Sequence, residues 1–153
     1  MKSTRPAPLS GKMRVLIADD LIVNCKLLAL KLNHCDVTFA HNGSSALETV
    51  QKSEKPFDLI FMDFNMPGGP NGIDTAKAIK TICPQTKIVL FTSESLNTLP
   101  PFNPDTFVDR LPKTPIDQKK LEEILNADHK VQTSQSIQRH TSPDTTHLKL
   151  YQV

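Results

Sequence analysis

Residues 58–72 read DLIFMDFNMPGGPNG, an apolar run that ends in an acid and is followed by turn-forming residues. The run Asp58–Met62 has the length and the nearly continuous apolar character of a strand buried on both faces of a parallel sheet. Proline and glycine then break the pattern, and a helix is predicted from Gly72 to Ile82. This stretch therefore predicts a strand, a loop at its carboxyl end and a helix.

The same order of strand and helix recurs on both sides of this stretch. Further strands are predicted at residues 14–18, 37–40, 87–92 and 106–111. Further helices are predicted around Val23, Leu27 and Leu30, which have helical spacing, over residues 44–53, and after Asp117, with Leu121, Ile124 and Leu125 on the buried face. Strands that alternate with helices form a parallel sheet joined by right-handed crossovers. The fold class is therefore α/β, a doubly wound parallel sheet of five strands.

The segment between the fourth and fifth strands departs from this regularity. Pro100, Pro101 and Pro104 each lack a backbone donor and exclude a continued helix. Any fourth helix must end by about Leu99, so we predict a shortened or irregular one.

Apolar residues are concentrated between Met13 and Leu125, which indicates one core in that region. We expect a single domain over residues 13–125. The proline-containing residues 1–12 are predicted to be a flexible leader, and the polar residues 126–153 a mostly disordered tail.

Charge and cysteine content exclude several classes of protein. The 18 basic and 16 acidic residues leave a net charge of +2, which does not favour nucleic-acid binding. No apolar run reaches the roughly 20 residues that a membrane helix needs. Three cysteines without a C-x-x-C pair, and a leader without an apolar signal segment, favour the reducing cytoplasm.

Polar residues follow four of the predicted strands. They are Asp19 and Asp20 after the first, Asp63 after the third, Thr92 at the end of the fourth and Lys113 after the fifth. The carboxyl ends of parallel strands meet at one edge of the sheet, where such folds bind their ligands. Two carboxylates 4 Å apart repel each other by about 1 kcal/mol in water and about 4 kcal/mol at an effective dielectric of 20. A Mg²⁺ ion, which prefers oxygen ligands, and the Lys113 ammonium would neutralise them.

These groups suit the transfer of a phosphoryl group. A carboxylate so placed can attack phosphorus and form an aspartyl phosphate, while a metal and a lysine stabilise charge on the phosphoryl oxygens. Asp63 is the best candidate for this nucleophile. Taken alone, an acid after a strand is often a helix cap, and a single lysine is often a solvated surface group. Four matching strand ends together favour a phosphoacceptor site.

Four segments of the chain resemble the receiver domains of two-component response regulators, which also occur fused to hybrid histidine kinases. The segments are VLIADD at Val15–Asp20, DLIFMDFNMPGGPNG at Asp58–Gly72, IVLFTS at Ile88–Ser93 and LPKTPID at Leu111–Asp117. The resemblance covers the chain from Met13 to Leu125 and implies a flavodoxin-like sheet with the strand order 2-1-3-4-5. Asn24, four residues past Asp20, resembles the hybrid-kinase branch.

The resemblance also implies a role for each site residue. Asp63 would be the phosphoacceptor, and Thr92 and Lys113 would contact the phosphoryl group beside it. The Mg²⁺ ligands would be Asp20, Asp63, Asp19 through a water molecule and Asn65 through its backbone carbonyl. Phosphate would come from a phosphohistidine on a histidine kinase or a histidine phosphotransfer protein, and a downstream protein partner would read the result. The chain would be a signalling phosphoacceptor that supplies most of the chemistry itself, rather than an enzyme.

The sequence departs from the family at four places. Arg110 stands three residues before Lys113, where an aromatic switch residue is usual, so the usual coupling of threonine movement to an aromatic rotamer is disfavoured. The proline expected directly after Lys113 comes one residue late, as Pro115. The acceptor loop is one residue longer around Gly68–Asn71. The prolines that shorten the fourth helix disfavour dimerisation through the face that many receivers use.

Two side chains bear on the lifetime of the phosphoryl group. In the family, the residues two past the acceptor and two past the threonine tune hydrolysis, and here they are Asn65 and Glu94. This polar pair suggests a short-lived phosphoryl group.

Other functions remain as alternatives. A degenerate receiver that binds a partner without phosphorylation is disfavoured because the five strand-end residues are intact. A phosphatase of the haloacid-dehalogenase type would need D-x-D after the first strand, whereas Asp63 follows the third. A flavin or nucleotide carrier would need a glycine- or hydroxyl-rich loop after the first strand, where the chain has Asp20-Leu21-Ile22.

Overall fold

A computed structural model of the chain describes residues 11–127, except residues 96, 102 and 114. The elements are β1 (Arg14–Ala18), α1 (Ile22–Leu30), β2 (Asp36–Ala40), α2 (Gly43–Lys52), β3 (Leu59–Met62), α3 (Gly72–Ile82), β4 (Lys87–Thr92) and β5 (Asp109–Pro112). Residues 118–127 form a further helix, α4. The chain divides into one unit up to Thr114 and a second from Pro115 onward. Nearly all of the predicted leader and tail lies outside the described residues, so those two expectations stay predictions.

The five strands form one parallel sheet. Their order is β2-β1-β3-β4-β5, which confirms the predicted α/β class and the flavodoxin-like order. The register places Ile17, Phe61, Val89 and Asp109 in one row across the sheet. Because side chains alternate along a strand, this row and the rows two residues away from it point to the same face.

A large core lies on the opposite face of the sheet. Leu16, Ile60 and Ile88 form one row of it and are fully buried. They belong to a cluster with buried residues of α2 and α3, among them Ala46, Val50, Ile73, Ala76 and Ile79. Burial of each large apolar side chain contributes about 1.5–3 kcal/mol, so this cluster fixes α2 and α3 against the sheet.

Helix α1 is confirmed, but the apolar residues that indicated it face solvent. Val23 is 58% exposed and Leu30 is 74% exposed, whereas Cys25 and Leu28 are completely buried. The sequence of α1 is apolar on two of its faces, so helical spacing alone does not decide which face packs on the sheet. Tertiary packing selects the face with the smaller Cys25.

The segment between β4 and β5 contains turns, and its described residues contain no helix. This agrees with the predicted loss of a regular fourth helix at the prolines. The fifth strand begins at Asp109, and the predicted start at Thr106 is wrong. The backbone N–H groups of Thr106 and Phe107 both donate to the carbonyl of Asn103, at 2.8 and 3.1 Å, so they are not available to the sheet. Phe107 is nevertheless 2% exposed and belongs to the core.

Helix α4 begins as the sequence predicted. The Asp117 carboxylate accepts a hydrogen bond of 3.2 Å from the backbone N–H of Lys120, which caps the helix. Leu121, Ile124 and Leu125 are buried, as expected from their spacing. Within the part of the chain that the structure describes, no helix combines the length and apolar character required to span a bilayer.

Candidate functional site

Three carboxylates come together at the carboxyl edge of the sheet. Asp19 directly follows β1 and Asp63 directly follows β3, and these two strands are neighbours with Ala18 opposite Met62. The backbone N–H of Asp63 donates to the carbonyl of Ala18 at 2.9 Å, which extends the pairing of β1 and β3 to Asp63. Together with the half-buried Asp20, these residues form an acidic cluster (Asp19, Asp20, Asp63) in which one carboxylate oxygen from each residue lies within 4.8 Å of the other two.

Lys113 reaches this cluster from the far edge of the sheet. Its Nζ lies 2.6 Å from Asp19 Oδ2 and 3.1 Å from Asp63 Oδ2, and its side chain is only 9% exposed. Asp19 is completely buried and Asp63 is 5% exposed. One ammonium therefore faces three carboxylates, so the cluster keeps an excess of negative charge.

The pKa of Asp63 is raised in this environment. The pKa of the Asp63 carboxyl is raised from its ordinary 3.8 to about 6, mainly by burial, and the neighbouring Asp19 carboxylate acts in the same direction. The Lys113 ammonium and the backbone N–H of Asn65, which both bond to the carboxylate, act in the opposite direction. The effect of burial on the pKa is larger than the effect of these partners, so an additional positive charge would stabilise the ionised form of Asp63.

Hydrogen bonds hold Asp19 in place. Its Oδ1 accepts from the backbone N–H of Leu21 at 2.9 Å and from Asn24 Nδ2 at 3.4 Å. Its backbone carbonyl lies 3.6 Å from Cys25 Sγ and 3.2 Å from His41 Nδ1. Burial, and next the Asp19 carboxylate, raise the pKa of the Cys25 thiol to about 11, so the thiol remains protonated and can donate to that carbonyl.

The residues of the acidic cluster fit a Mg²⁺ ion. Asp19 Oδ2 is fully buried and accepts no hydrogen bond of good geometry, although it lies in an ion pair with Lys113. Mg²⁺ prefers oxygen ligands, and the cluster offers three carboxylates. One of their oxygens is buried and can still accept a ligand bond. The donor set does not suit a metal that needs sulfur or imidazole ligands.

Two loops flank the cluster and are joined to each other. Thr92 ends β4, is 1% exposed, and its Oγ1 accepts a hydrogen bond of 3.2 Å from the backbone N–H of Glu94. Asn65 Nδ2 donates to Glu94 Oε2 at 2.7 Å, so the two residues expected to tune hydrolysis contact each other. Thr98 Oγ1 donates to the second oxygen of Glu94 at 3.1 Å.

The loop after Asp63 depends on glycine at one position. A Cβ added to Gly72 would lie 2.0 Å from the backbone oxygen of Asp63, which is far inside the contact distance of real atoms. The Gly72 N–H also donates to the carbonyl of Phe64 at 2.9 Å. Gly72 therefore allows α3 to begin directly against the backbone of Asp63.

The structure brings Asp19, Asp20, Asp63 and Lys113 into one cluster, and it places Thr92 and Asn65 on the adjoining strand end and loop. Sequence reasoning missed Phe91, whose ring centroid lies 5.1 Å from Lys113 Nζ. The alternation of side chains along β4 was the signal that could have identified it, because residue 91 shares its face of the sheet with Asp63 and Lys113.

Comparisons with known proteins agree with this geometry. A sequence model described as "Response regulator receiver domain" matches residues 15–126. The autoinducer 1 sensor kinase/phosphatase LuxN of Vibrio campbellii is 41% identical over 83 residues, which are 53% of this chain and 9% of that protein. The transcriptional regulatory protein ZraR of Salmonella typhimurium is 33% identical over 120 residues, which are 76% of this chain and 26% of that protein. The chain thus spans about a quarter or less of these relatives' lengths.

Solved structures give the same result. The response regulator protein TrrA from Thermotoga maritima, in complex with Mg(2+)-BeF, aligns with a TM-score of 0.64 and 25% identity over 75% of this chain and 97% of that one. The N-terminal domain of a response regulator/sensory box/GGDEF 3-domain protein from Carboxydothermus hydrogenoformans aligns with a TM-score of 0.65 and 26% identity, over 80% of this chain and 98% of that one.

Receiver domains are the phosphoacceptors of two-component signalling, bind Mg²⁺ at an acidic pocket and interact with histidine kinases or phosphotransfer proteins. The family match over residues 15–126 begins within β1, ends within α4 and takes in every residue of the acidic cluster. The chain therefore belongs to the family of response regulator receiver domains.

Proposed function

We propose that Asp63 accepts a phosphoryl group from a phosphohistidine, and that residues 13–125 thereby act in a phosphorelay or as a switch that docks on a protein partner. The observation that carries this proposal is the buried ion pair of Lys113 with Asp63, at 3.1 Å, inside a cluster of carboxylates with excess negative charge. Such a cluster is unfavourable unless further positive charge, as a divalent cation would supply, balances the carboxylates.

The proposed transfer is a displacement at phosphorus. A carboxylate oxygen of Asp63 attacks the phosphorus atom, a new O–P bond forms, and the P–N bond of the phosphohistidine breaks with its electron pair remaining on the imidazole nitrogen. Lys113 is in reach of the Asp63 carboxylate and pairs with the negative phosphoryl oxygens. The hydroxyl oxygen of Thr92 accepts from the Glu94 N–H, so its own hydrogen remains available to donate to a phosphoryl oxygen.

The metal site is proposed on the same residues. Asp20 and Asp63 would bind Mg²⁺ directly, Asp19 through a water molecule, and Asn65 through its backbone carbonyl. When bound, the ion supplies positive charge that stabilises the phosphoryl oxygens during transfer. The elevated pKa of Asp63 supports this assignment, because a neighbouring dication would favour the ionised, nucleophilic carboxylate.

The donor is proposed to be a histidine kinase or a histidine phosphotransfer protein. Relatives of this chain include a sensor kinase/phosphatase and a hybrid signal transduction histidine kinase. We propose that the receiver itself supplies the catalytic groups for phosphorylation and dephosphorylation, and that it works in the cytoplasm, where its three cysteines stay reduced. We propose that its partners are proteins, and neither nucleic acid nor a membrane.

A labelling experiment tests the proposal. Purified protein incubated with Mg²⁺ and acetyl phosphate should gain the mass of one phosphoryl group, and the Asp63→Asn variant should not. Asp74→Asn, which changes an exposed carboxylate in α3, is the matched control and should be labelled like the wild type. Calorimetry should detect Mg²⁺ binding to the wild type.

Two outcomes would contradict the proposal. Labelling of Asp63→Asn at the wild-type rate would show that another residue is the acceptor. A wild type that binds no Mg²⁺ and takes no label would favour the alternative of a degenerate receiver that only binds a partner.

A further inference from the structure

The path of the Lys113 side chain across the sheet points to a residue with no assigned role. Strand β5 is at the edge of the sheet, and β4 separates it from β3, which carries Asp63. Neighbouring strands are about 4.8 Å apart, so β5 and β3 are about 10 Å apart, and the Lys113 side chain crosses over β4 to place its ammonium beside the Asp63 carboxylate.

Phe91 is the residue of β4 beneath this crossing. Phe91 pairs with Leu111 on β5, and Lys113 directly follows β5, two residues past Leu111, with its side chain on the same face as Phe91. Met62 pairs with Leu90, so the next residues, Asp63 and Phe91, are opposite each other, and their side chains lie on the same face of the sheet. The ammonium of Lys113 lies 5.1 Å from the centre of the Phe91 ring, within the range of a cation–π interaction.

The ring of Phe91 is itself fixed. It is 1% exposed, and it packs edge-to-face on Phe61, with 6.1 Å between the ring centres and 74° between the planes. Phe61 lies two residues before Asp63 on β3. The aromatic pair therefore links the strand that carries the acceptor to the ring that contacts the lysine.

The carboxylates alone cannot fix Lys113 throughout the reaction. Asp19 and Asp63 are its two ion-pair partners, and both belong to the cluster proposed to bind Mg²⁺. A dication on these oxygens would weaken both ion pairs and repel the ammonium. The face of an aromatic ring attracts the ammonium but offers no ligand to Mg²⁺, so its contribution persists when the metal binds.

We propose that Phe91 is a positioning residue, whose ring face holds the Lys113 ammonium beside Asp63 when Mg²⁺ occupies the carboxylates. This inference rests on the proposed phosphoacceptor function of Asp63. It assigns to a buried aromatic residue of β4 a task in phosphoryl transfer, in addition to its packing.

Fluorination of one ring separates this role from packing. Replacing Phe91 with fluorinated phenylalanines that carry one, two and three ring fluorines weakens the electrostatic attraction for a cation while nearly keeping the shape of the ring. The rate of labelling of Asp63 by acetyl phosphate with Mg²⁺ should fall stepwise, to about a tenth with three fluorines. Phe57 is the matched control, because its ring faces the Arg14 guanidinium at 4.6 Å at the other end of the sheet. Its fluorination should leave the rate within about twofold.

A double-mutant cycle gives an independent readout. Phe91→Leu should weaken binding of beryllium trifluoride, a phosphoryl mimic, about tenfold in the wild type and should have no further effect in Lys113→Ala. Equal losses in both backgrounds, or a labelling rate unchanged by fluorination of Phe91, would overturn the inference while leaving Asp63 as the acceptor. A wild type that takes no label on Asp63 would instead overturn the proposed function, and this inference with it.

Discussion

The metal-free protein is expected to lose stability as the pH rises from about 4 to about 7, and Asp63 is expected to account for a large share of that loss. Its carboxyl is 5% exposed, and burial raises its pKa from 3.8 to about 6. Ionising this group in the folded state therefore requires more free energy than in the unfolded chain. The perturbation that isolates the effect is Asp63→Asn, which replaces the carboxyl with a neutral group of the same shape.

The sign and the size follow from proton binding. Between the two pKa values the folded state binds a proton that the unfolded state has released, so the free energy of unfolding decreases as the pH rises. The contribution of Asp63 is complete below its unfolded pKa of 3.8 and is lost as the pH passes its folded pKa of about 6. A difference of roughly two units corresponds to about 3 kcal/mol.

The assay is urea unfolding of both proteins at several pH values with a chelator present. The Asp63→Asn variant should be more stable than the wild type by about 2–3 kcal/mol at pH 7.5, which corresponds to a rise in Tm of about 10 °C or more. The difference should disappear toward pH 4. Asp105→Asn, which changes an exposed carboxylate on the β4–β5 segment, is the matched control. Added Mg²⁺ should narrow the gap between wild type and Asp63→Asn at pH 7.5, because the variant lacks one of the proposed ligands and the ion should stabilise the folded wild type more. Parallel stability curves for the two proteins over the whole pH range would refute the reasoning.

Two further substitutions test the surroundings of the acceptor. Gly72→Ala places a Cβ 2.0 Å from the Asp63 carbonyl oxygen, so thermal unfolding should show a loss of about 2–3 kcal/mol in the free energy of unfolding, and labelling of Asp63 should slow. Gly69→Ala is the control: its Cβ would lie 3.4 Å from the nearest atom, and the loss of unfolding free energy should be less than about 1 kcal/mol. A Gly72→Ala protein as stable and as reactive as the wild type would contradict the tight contact. Glu94→Ala removes the acceptor of the Asn65 side-chain hydrogen bond, and the lifetime of the phosphorylated protein should increase by several-fold when followed by loss of label. A wild-type lifetime of many hours would contradict the expected short-lived phosphoryl group.

The sheet could be predicted from the sequence because its strands are continuous apolar runs that only a doubly covered parallel sheet can bury. The buried face of a helix and the end of a strand could not be predicted where two local sequence patterns fit equally well. Helix α1 has apolar residues on two faces, and only contact with the sheet selects Cys25 and Leu28 over Val23 and Leu30 for burial. The start of β5 was predicted three residues early because Thr106 and Phe107 have strand-forming side chains, while their N–H groups bond within a turn.

The acidic cluster could be predicted for a similar reason. The carboxyl ends of parallel strands are adjacent by construction, so residues that follow strands can be assigned to one site without coordinates. Asp19, Asp63 and Lys113 were found in this way. Phe91 was not, because a buried phenylalanine within a strand is indistinguishable from an ordinary core residue until the path of the lysine above it is known. The hydrogen bond between Asn65 and Glu94 connects two loops, and loop geometry is not encoded in periodicity.

The electrostatics of the cluster require metal binding and phosphorylation to reinforce each other. Three carboxylates and one ammonium leave excess negative charge before any ligand arrives, and a phosphoryl group on Asp63 adds more. A dication at the cluster therefore lowers the free energy of the phosphorylated state more than that of the free state. By thermodynamic linkage, the factor by which Mg²⁺ raises the affinity for beryllium trifluoride must equal the factor by which beryllium trifluoride raises the affinity for Mg²⁺. The same crowding of carboxylates that raises the pKa of Asp63 would thus make the proposed site bind Mg²⁺ and the phosphoryl mimic together.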